Sequence, residues 1–178
     1  MEALETERLR LEPWAPDHAG LIVRLSALPE VMRYIGTGET WTPARAEESH
    51  ARALVHWRTH GFGWRLARTR DREEVVGLIA LNLAGGGLDG IAPTDHEIGW
   101  WLDPAFQGRG YATEGARALQ SEAFGTLGAR RVVARVAVEN TASIAVARRL
   151  GLEPAGEFPG RFGEPTVVLA QIADQFDG

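Results

Sequence analysis

The run Trp100-Trp101-Leu102-Asp103-Pro104-Ala105-Phe106-Gln107-Gly108-Arg109-Gly110-Tyr111-Ala112-Thr113-Glu114 holds the residues of this chain best spaced for chemistry. An apolar strand pattern stops at Asp103-Pro104. A glycine-rich turn follows, and then a helical pattern begins. Such a turn leaves several backbone N–H groups unpaired and pointing one way. Together with the positive end of the helix dipole they make a site for phosphate. Gly108 and Gly110 remove side chains that would block a ligand from the backbone. A plain strand-to-helix turn with two glycines and no ligand satisfies the same local pattern. A dinucleotide fold fits less well: Thr113 stands where its third glycine would sit, and the first part of the chain does not alternate strands with helices.

Other residues stand out by type. Glu97 is a charged residue in an otherwise apolar strand, which needs either an ion pair with one of the many arginines or a part in proton transfer. Strand alternation puts its neighbour His96 on the opposite face unless a bulge shifts the register. Asn140 is a good helix N-cap, and Ser143 lies in the turn that follows. His56 and His60 lie four apart on one helix, preceded by His50. That spacing could bind a metal, but no carboxylate motif or cysteine supports it, so a solvated helix face and no metal are expected.

The bulk properties bound the class. A length of 178 residues predicts one domain over 1–178, and 44% hydrophobic residues support a sizeable core. Charged residues make up 24%, which excludes a disordered tract. No apolar run reaches transmembrane length and no secretory pattern opens the chain, so a cytoplasmic protein without membrane partners is expected. Cysteine is absent, which rules out disulfides and thiolate metal sites. The net charge of −5 argues against direct nucleic-acid binding and suits a cationic substrate such as an amine. All 19 basic residues are arginine.

The elements that must position these residues follow from periodicity. Arg8 to Trp14 alternates and predicts a first strand. Pro16 to Ala27 predicts a short helix. A second helix should start at Thr42-Pro43, bury Ala46, Ala53, Leu54 and Trp57, and stop at Gly61. Phe62 to Arg68, with Phe62, Trp64 and Leu66 on one face, and the apolar Val75 to Asn82 predict a hairpin about Asp71-Arg72-Glu73. Ala84 to Thr94, with Gly85-Gly86-Gly87, predicts a flexible loop bordering the site. His96 to Leu102 is the next strand. The helix after the turn carries Ala112, Ala116, Leu119, Ala123 and Leu127 inward and should end at Gly128. Arg131 to Val138 is a strand. A last helix runs from Asn140-Thr141 to Gly151, with Ile144, Ala147 and Leu150 inward, and one or two strands, the final one Thr166 to Ile172, close the sheet. A meander followed by a βαβ crossover is a mixed α/β sheet rather than a doubly wound one.

That order, with the Gln-x-x-Gly-x-Ala turn at Gln107, Gly110 and Ala112, resembles the GCN5-related N-acetyltransferases (GNAT) over nearly the whole chain. Within that family it is most similar to the RimJ/RimL-like ribosomal-protein branch. The patterns are Thr6-Glu7-Arg8-Leu9-Arg10-Leu11, Glu97-Ile98-Gly99-Trp100-Trp101-Leu102, Gly108-Arg109-Gly110-Tyr111-Ala112-Thr113-Glu114 and Glu139-Asn140-Thr141-Ala142-Ser143, with Gly151-Leu152 after the last helix. The resemblance implies a mostly antiparallel central sheet, splayed at a bulge between the fourth and fifth strands and flanked by about four helices.

It also implies acetyl-CoA as cosubstrate, no metal, and an amine acceptor, either a protein N-terminus or a small molecule. The amides from Gln107 through Gly108, Arg109, Gly110, Tyr111 and Ala112 to Thr113 would hold the pyrophosphate, with Arg109 adding charge. Trp101 and Leu102 would serve the pantetheine arm, and an amide near Trp100 or Trp101 would polarise the thioester carbonyl. The two tryptophans point to opposite faces, so at most one lines the acceptor pocket. Asn140 would bond the pantetheine amides, and Ser143 would bind near the sulfur and donate a proton to it. Many relatives carry a Tyr acid in this helix where Ala147 stands here. Glu97 is the expected base, with His96 next; Glu157 and Glu164 are nearby carboxylates without a clear alignment. Trp41, Trp57 and Trp64 are candidates to shape the acceptor pocket, with core packing expected for Trp57. A non-catalytic acyl-CoA sensor and a succinyl-type donor remain alternatives, as do a monomer and a homodimer.

Overall fold

Leu9 and Leu11 are fully buried while Arg10 between them is exposed, so β2 (Leu9–Pro13) lies with one face on the core as its alternation requires. The computed structural model describes residues 2–85 and 89–176; Gly86, Gly87 and Leu88 of the expected loop lie outside the described residues. A two-residue β1 (Leu4–Glu5) precedes β2. Then come α1 (Ala19–Ser26), the single-turn α2 (Pro29–Met32) and α3 (Pro43–His60). β3 (Arg65–Thr69), β4 (Val75–Leu83) and β5 (His96–Leu102) follow as an antiparallel meander. α4 (Tyr111–Gly125) crosses over to β6 (Arg131–Ala137). α5 (Thr141–Arg149), β7 (Glu153–Pro159) and β8 (Pro165–Ile172) complete the chain's regular elements. The strand order is β1-β2-β3-β4-β5-β6-β8-β7, an eight-stranded sheet in a mixed α/β fold.

Among the described residues β5 and β6 are the one parallel pair, and they barely touch. Only His96↔Val132 and Glu97↔Val133 are in register, whereas β6 pairs with β8 along its whole length. The sheet therefore parts after Glu97, as the resemblance implied. The implied bulge is absent: β5 keeps unbroken register with β4 from Leu83↔His96 to Gly77↔Leu102. His96 accordingly stays on the face opposite Glu97.

Helices cover the two faces separately. α4 and α5 pack with Ile79, Leu81, Ile98 and Val132 on one face. α1, α2 and α3 pack with Leu66, Leu78 and Trp101 on the other. The start and stop of α3 follow the sequence: Thr42 Oγ1 accepts from the Arg45 N–H at 3.3 Å, and Gly61 closes the helix in the left-handed region at φ 76°.

Several expectations are corrected. Pro16–His18 forms a 3-10 turn ahead of α1, and α2 adds one turn. Phe62 lies outside β3 and packs with the α4/α5 side, while Trp64 and Leu66 pack on the other. α4 ends at Gly125, before Gly128. Of the one or two strands expected after the last helix there are two, and the sequence sets no bounds for β7, because this mostly exposed edge strand contains two prolines and a glycine and shows no alternation.

The seating of α4 on the sheet depends on Gly115, where a β-carbon would fall 2.8 Å from Ile79 Cγ1. Gly115→Val should destabilise the fold by about 1–3 kcal/mol through overpacking, read as a lower denaturant midpoint.

Candidate active site

Beyond Glu97, β5 has no strand on its β6 side. The Ala84 N–H donates to the Asp95 carbonyl and the Asp103 N–H to that of Val76, both at the β4–β5 ladder. Alternation then turns the backbone groups of Glu97, Gly99 and Trp101 toward β4. The Ile98 N–H closes the last bridge to Val133 of β6, so the Ile98 carbonyl and the backbone groups of Trp100 and Leu102 are the ones that face the open gap. Unmade backbone hydrogen bonds at depth are costly, so this edge is built to be met by an extended ligand.

The turn at the end of the gap is held open. Asp103 Oδ1 accepts from the Ala105 N–H at 3.0 Å, and Asp103 pairs with Arg24. The Ala105 N–H and Arg24 hold the Asp103 carboxyl below its ordinary range against the opposing effect of burial. Gln107 Nε2 donates to the Leu102 carbonyl at 3.2 Å. Gly108 and Gly110 adopt φ 73° and 82°, and a β-carbon on Gly108 would meet open space. Among the described residues the N–H groups of Gly108, Arg109, Gly110, Tyr111, Ala112 and Thr113 have no acceptor, and no side chain caps α4. These amides face the start of a 15-residue helix, where its dipole favours an anion. Arg109 is exposed, and its guanidinium lies 5.6 Å from the Phe106 ring centroid, with no carboxylate on it among the described residues.

The N-terminal segment clamps this turn. Arg8 donates from Nε to Glu114 Oε2 at 2.6 Å and from Nη1 to the Arg109 carbonyl at 2.9 Å. Its own N–H and the Thr6 hydroxyl both donate to Glu114 Oε1, at 2.7 and 2.6 Å. Its guanidinium also covers the Tyr111 ring at 4.7 Å. Burial pushes the Glu114 carboxyl up, but the donors from Thr6 and Arg8 together hold it below its ordinary value.

On α5, Asn140 Oδ1 caps the helix by accepting from the Ser143 N–H at 3.1 Å, which leaves its amide nitrogen toward the cavity. Ser143 Oγ accepts from the Trp100 indole at 3.2 Å, so the hydroxyl proton is free to be donated elsewhere. Glu97 Oε1 receives two N–H groups of Arg135, at 2.8 and 2.7 Å, and Oε2 has no donor among the described residues. A cavity of about 780 Å³ joins these groups through the gap to the α1–α3 side, where Trp41, Trp64 and Trp101 line it.

Comparison with known proteins decides what this arrangement is. The acetyltransferase (GNAT) domain family matches residues 8–153. The chain belongs to the GNAT acetyltransferase family. It is 30% identical over 175 residues to the FsC-acetyl coenzyme A-N(2)-transacetylase of Aspergillus fumigatus, covering 91% of this chain and 69% of that one. An acetyltransferase structure from Agrobacterium tumefaciens is 31% identical with a TM-score of 0.78, covering 96% and 94% of the two chains. A RimL-type ribosomal-protein acetyltransferase in complex with coenzyme A shares the fold at a TM-score of 0.74 and 20% identity, over 98% and 100%.

GNAT enzymes are acyltransferases that use acetyl-CoA, and the residues here fit that cosubstrate. The open amides from Gly108 to Thr113 suit the pyrophosphate, and the gap-facing Ile98 carbonyl, Trp100 backbone and Leu102 N–H suit the pantetheine arm. Trp101, expected beside Leu102 on that arm, is placed differently. Its carbonyl faces Gly77 of β4, and its side chain packs edge-on to Trp41 at 5.2 Å in the other half of the cavity. The amide left for the thioester carbonyl is that of Trp100. Ala147, where relatives place a Tyr, is fully buried in the core, so this position has no access to the reacting sulfur.

Of the three histidines expected on a solvated face of α3, only His60 is exposed. His50 is buried and accepts from the Trp14 indole at 3.0 Å. His56 accepts at Nε2 from the Leu83 N–H at 3.2 Å and contacts the Phe62 carbonyl through Nδ1 at 2.8 Å, which places its proton on Nδ1. Burial lowers its pKa, so it stays neutral in this role. Among the described residues no three His, Cys, Asp or Glu side chains are placed to hold a metal. Trp57 packs in the core and donates to the Trp64 carbonyl at 2.6 Å. The role of Thr6 and Arg8 was missed in the sequence; a motif so far from the turn carries no local sign of the contact.

The clamp makes stability depend on pH in a set direction. The folded value of Glu114 lies below the ordinary 4.5, so its contribution is present above that value and lost as pH falls through the folded one. The unfolding free energy lost in Glu114→Gln should be largest at about pH 7 and shrink toward about pH 3. Arg8→Ala should weaken coenzyme A binding about tenfold by calorimetry, equivalent to about 1.4 kcal/mol.

Proposed function

We propose that this enzyme transfers the acetyl group of acetyl-CoA to the nitrogen of a primary amine by direct attack within a ternary complex. The observation that carries this reading is the cavity that runs through the parted sheet, with a place for the acyl donor on one face and a separate acceptor half on the other. Bound acetyl-CoA supplies an activated thioester. The Trp100 N–H is available to that carbonyl oxygen, where charge accumulates as the nitrogen adds. Glu97 Oε2 takes the proton released by the amine, directly or through water, while Arg135 holds the other oxygen still. Carbon–nitrogen bond formation accompanies carbon–sulfur cleavage, and Ser143 Oγ gives its proton to the departing sulfur. The fully buried Ala147 leaves Ser143 as the hydroxyl of α5 positioned for that task.

We place the chain in the RimJ/RimL-like branch on its four sequence patterns and read it as a cytoplasmic enzyme. The transacetylase relative is named for an N(2) position, which supports a non-protein amine among the acceptors to be tried first.

Thiol release from acetyl-CoA, followed with Ellman's reagent over amines and N-terminal peptides, tests the reaction; the chain has no cysteine to react with the dye. Turnover should depend on a primary amine. Glu97→Gln should lower kcat by about a hundredfold and Ser143→Ala by about tenfold, with the KM for acetyl-CoA little changed. Unchanged turnover in both single variants and the double variant rejects these roles.

A further inference from the structure

The acceptor half of the cavity has a charge character opposite to that of the chain. The protein carries a net charge of −5, yet Arg45 and Arg52 of α3, Arg135 of β6 and Arg161 of the β7–β8 turn all line this cavity. Among the described residues three carboxylates line it as well; one is paired with an arginine, and another keeps its charge while accepting a backbone N–H. Glu97 holds Arg135 at 2.7 Å, and Glu164 Oε2 accepts from the Phe162 N–H of its own turn at 2.8 Å. Glu30 makes no ion pair among the described residues. Neither do Arg45, Arg52 and Arg161, so three guanidiniums face the cavity without a carboxylate of the protein on them. Arg45 is held over the Trp41 ring at 4.8 Å, and Trp41 meets Trp101 edge to face at 5.2 Å. A guanidinium stacked on an aromatic ring keeps its N–H edge free and presents it in a fixed plane, the geometry that takes a carboxylate through two parallel bonds.

We propose that the acceptor is a small amino acid-type molecule that carries a carboxylate as well as its amine. Arg45, Arg52 and Arg161 bind that carboxylate, and Trp41 and Trp101 bed the body between the two ends. This rests on the acetyl-transfer reading above and names the substrate class of the same site. Glu97, the proton acceptor of that reading, stands on the central strand beside the gap with Arg135 on it, while Arg45 and Arg52 come from α3 and Arg161 from the β7–β8 turn, which also carries Glu164. The size follows from the space. The cavity's roughly 780 Å³ must also hold the end of the cofactor arm, and the space left suits a small molecule. Phe162 of the β7–β8 turn lies near Gly36, in the segment between α2 and α3, where a β-carbon would come within 3.1 Å of its ring.

The test compares aromatic and aliphatic amino acids with their methyl esters, their decarboxylated amines and short peptides starting with the same residue. Thiol release gives kcat/KM. Tryptophan fluorescence in the presence of coenzyme A gives a Kd that needs no turnover, with Trp41 and Trp101 as reporters. For at least one body, the free acid should exceed its ester, amine and peptide by about tenfold or more in kcat/KM, or in Kd where no thiol is released. Arg45→Gln, Arg52→Gln and Arg161→Gln should together raise the KM or Kd for the acid and collapse the acid-to-ester ratio toward one, with kcat on saturating acid little changed. Esters, amines or peptides equal to the acids overturn the proposal. So does an acid-to-ester ratio unchanged in the triple variant, or fluorescence that no acid perturbs. The transfer reading fails by a different sign, thiol release at background with every amine, and the fluorescence arm still decides the carboxylate.

Discussion

The structure depends on a parallel strand pair that stops after two residues. β5 and β6 meet at His96 and Glu97 and then separate, because β6 is fully paired with β8 while β5 continues with β4. A sheet that parts this way exposes backbone donors and acceptors that would normally be satisfied. The helices of both faces are arranged around the opening, and the cavity runs through it. An extended, amide-bearing ligand arm is a chemical match for such an edge, and this is why the proposed binding site is the defect in the sheet.

The end of the opening shows the same principle in another form. The turn before α4 presents unsatisfied amides, and holding them in place needs forces from outside the turn. Arg8 and Thr6 supply them through Glu114 and the Arg109 carbonyl, some hundred residues away in sequence. Glu114 thus neutralises Arg8, caps the N-terminal segment through Thr6, and leaves the amides of Gly108 to Thr113 free. A charge-assisted cluster of this kind, half-shielded from water, keeps its value better than a solvated pair.

Alternation along β5 divides the work between adjacent tryptophans. Trp100 sends its side chain to the α4/α5 face, where its indole orients Ser143, and its amide to the gap. Trp101 sends its side chain to the α1–α3 face and its backbone to β4. In the proposed reaction one residue serves the donor, and its neighbour walls the acceptor half. A slip of one register position would exchange the two roles.

Local sequence determined a good deal. The strand ends, the caps of α3 and α5, the glycine turn and the opposite facing of Trp100 and Trp101 follow from period-two and period-3.6 patterns, capping chemistry and positive φ. These depend on residues within a turn or two of one another, so they are legible in the chain. Most of the sheet order and the nature of the turn were legible as well, through motifs whose spacing few other folds reproduce. The edge strand β7, with its prolines and exposed side chains, left no such pattern. Tertiary structure alone decided which amide of β5 is free, since that depends on where β4 ends and β6 departs. It decided that His50 and His56 serve the scaffold, because their partners are Trp14 just after β2, Leu83 of β4 and Phe62 in the loop after α3. It also decided the charge of the acceptor half. Net charge is a sum over the whole chain and suggests a cationic partner, but a pocket responds to the few guanidiniums that long-range folding turns toward it.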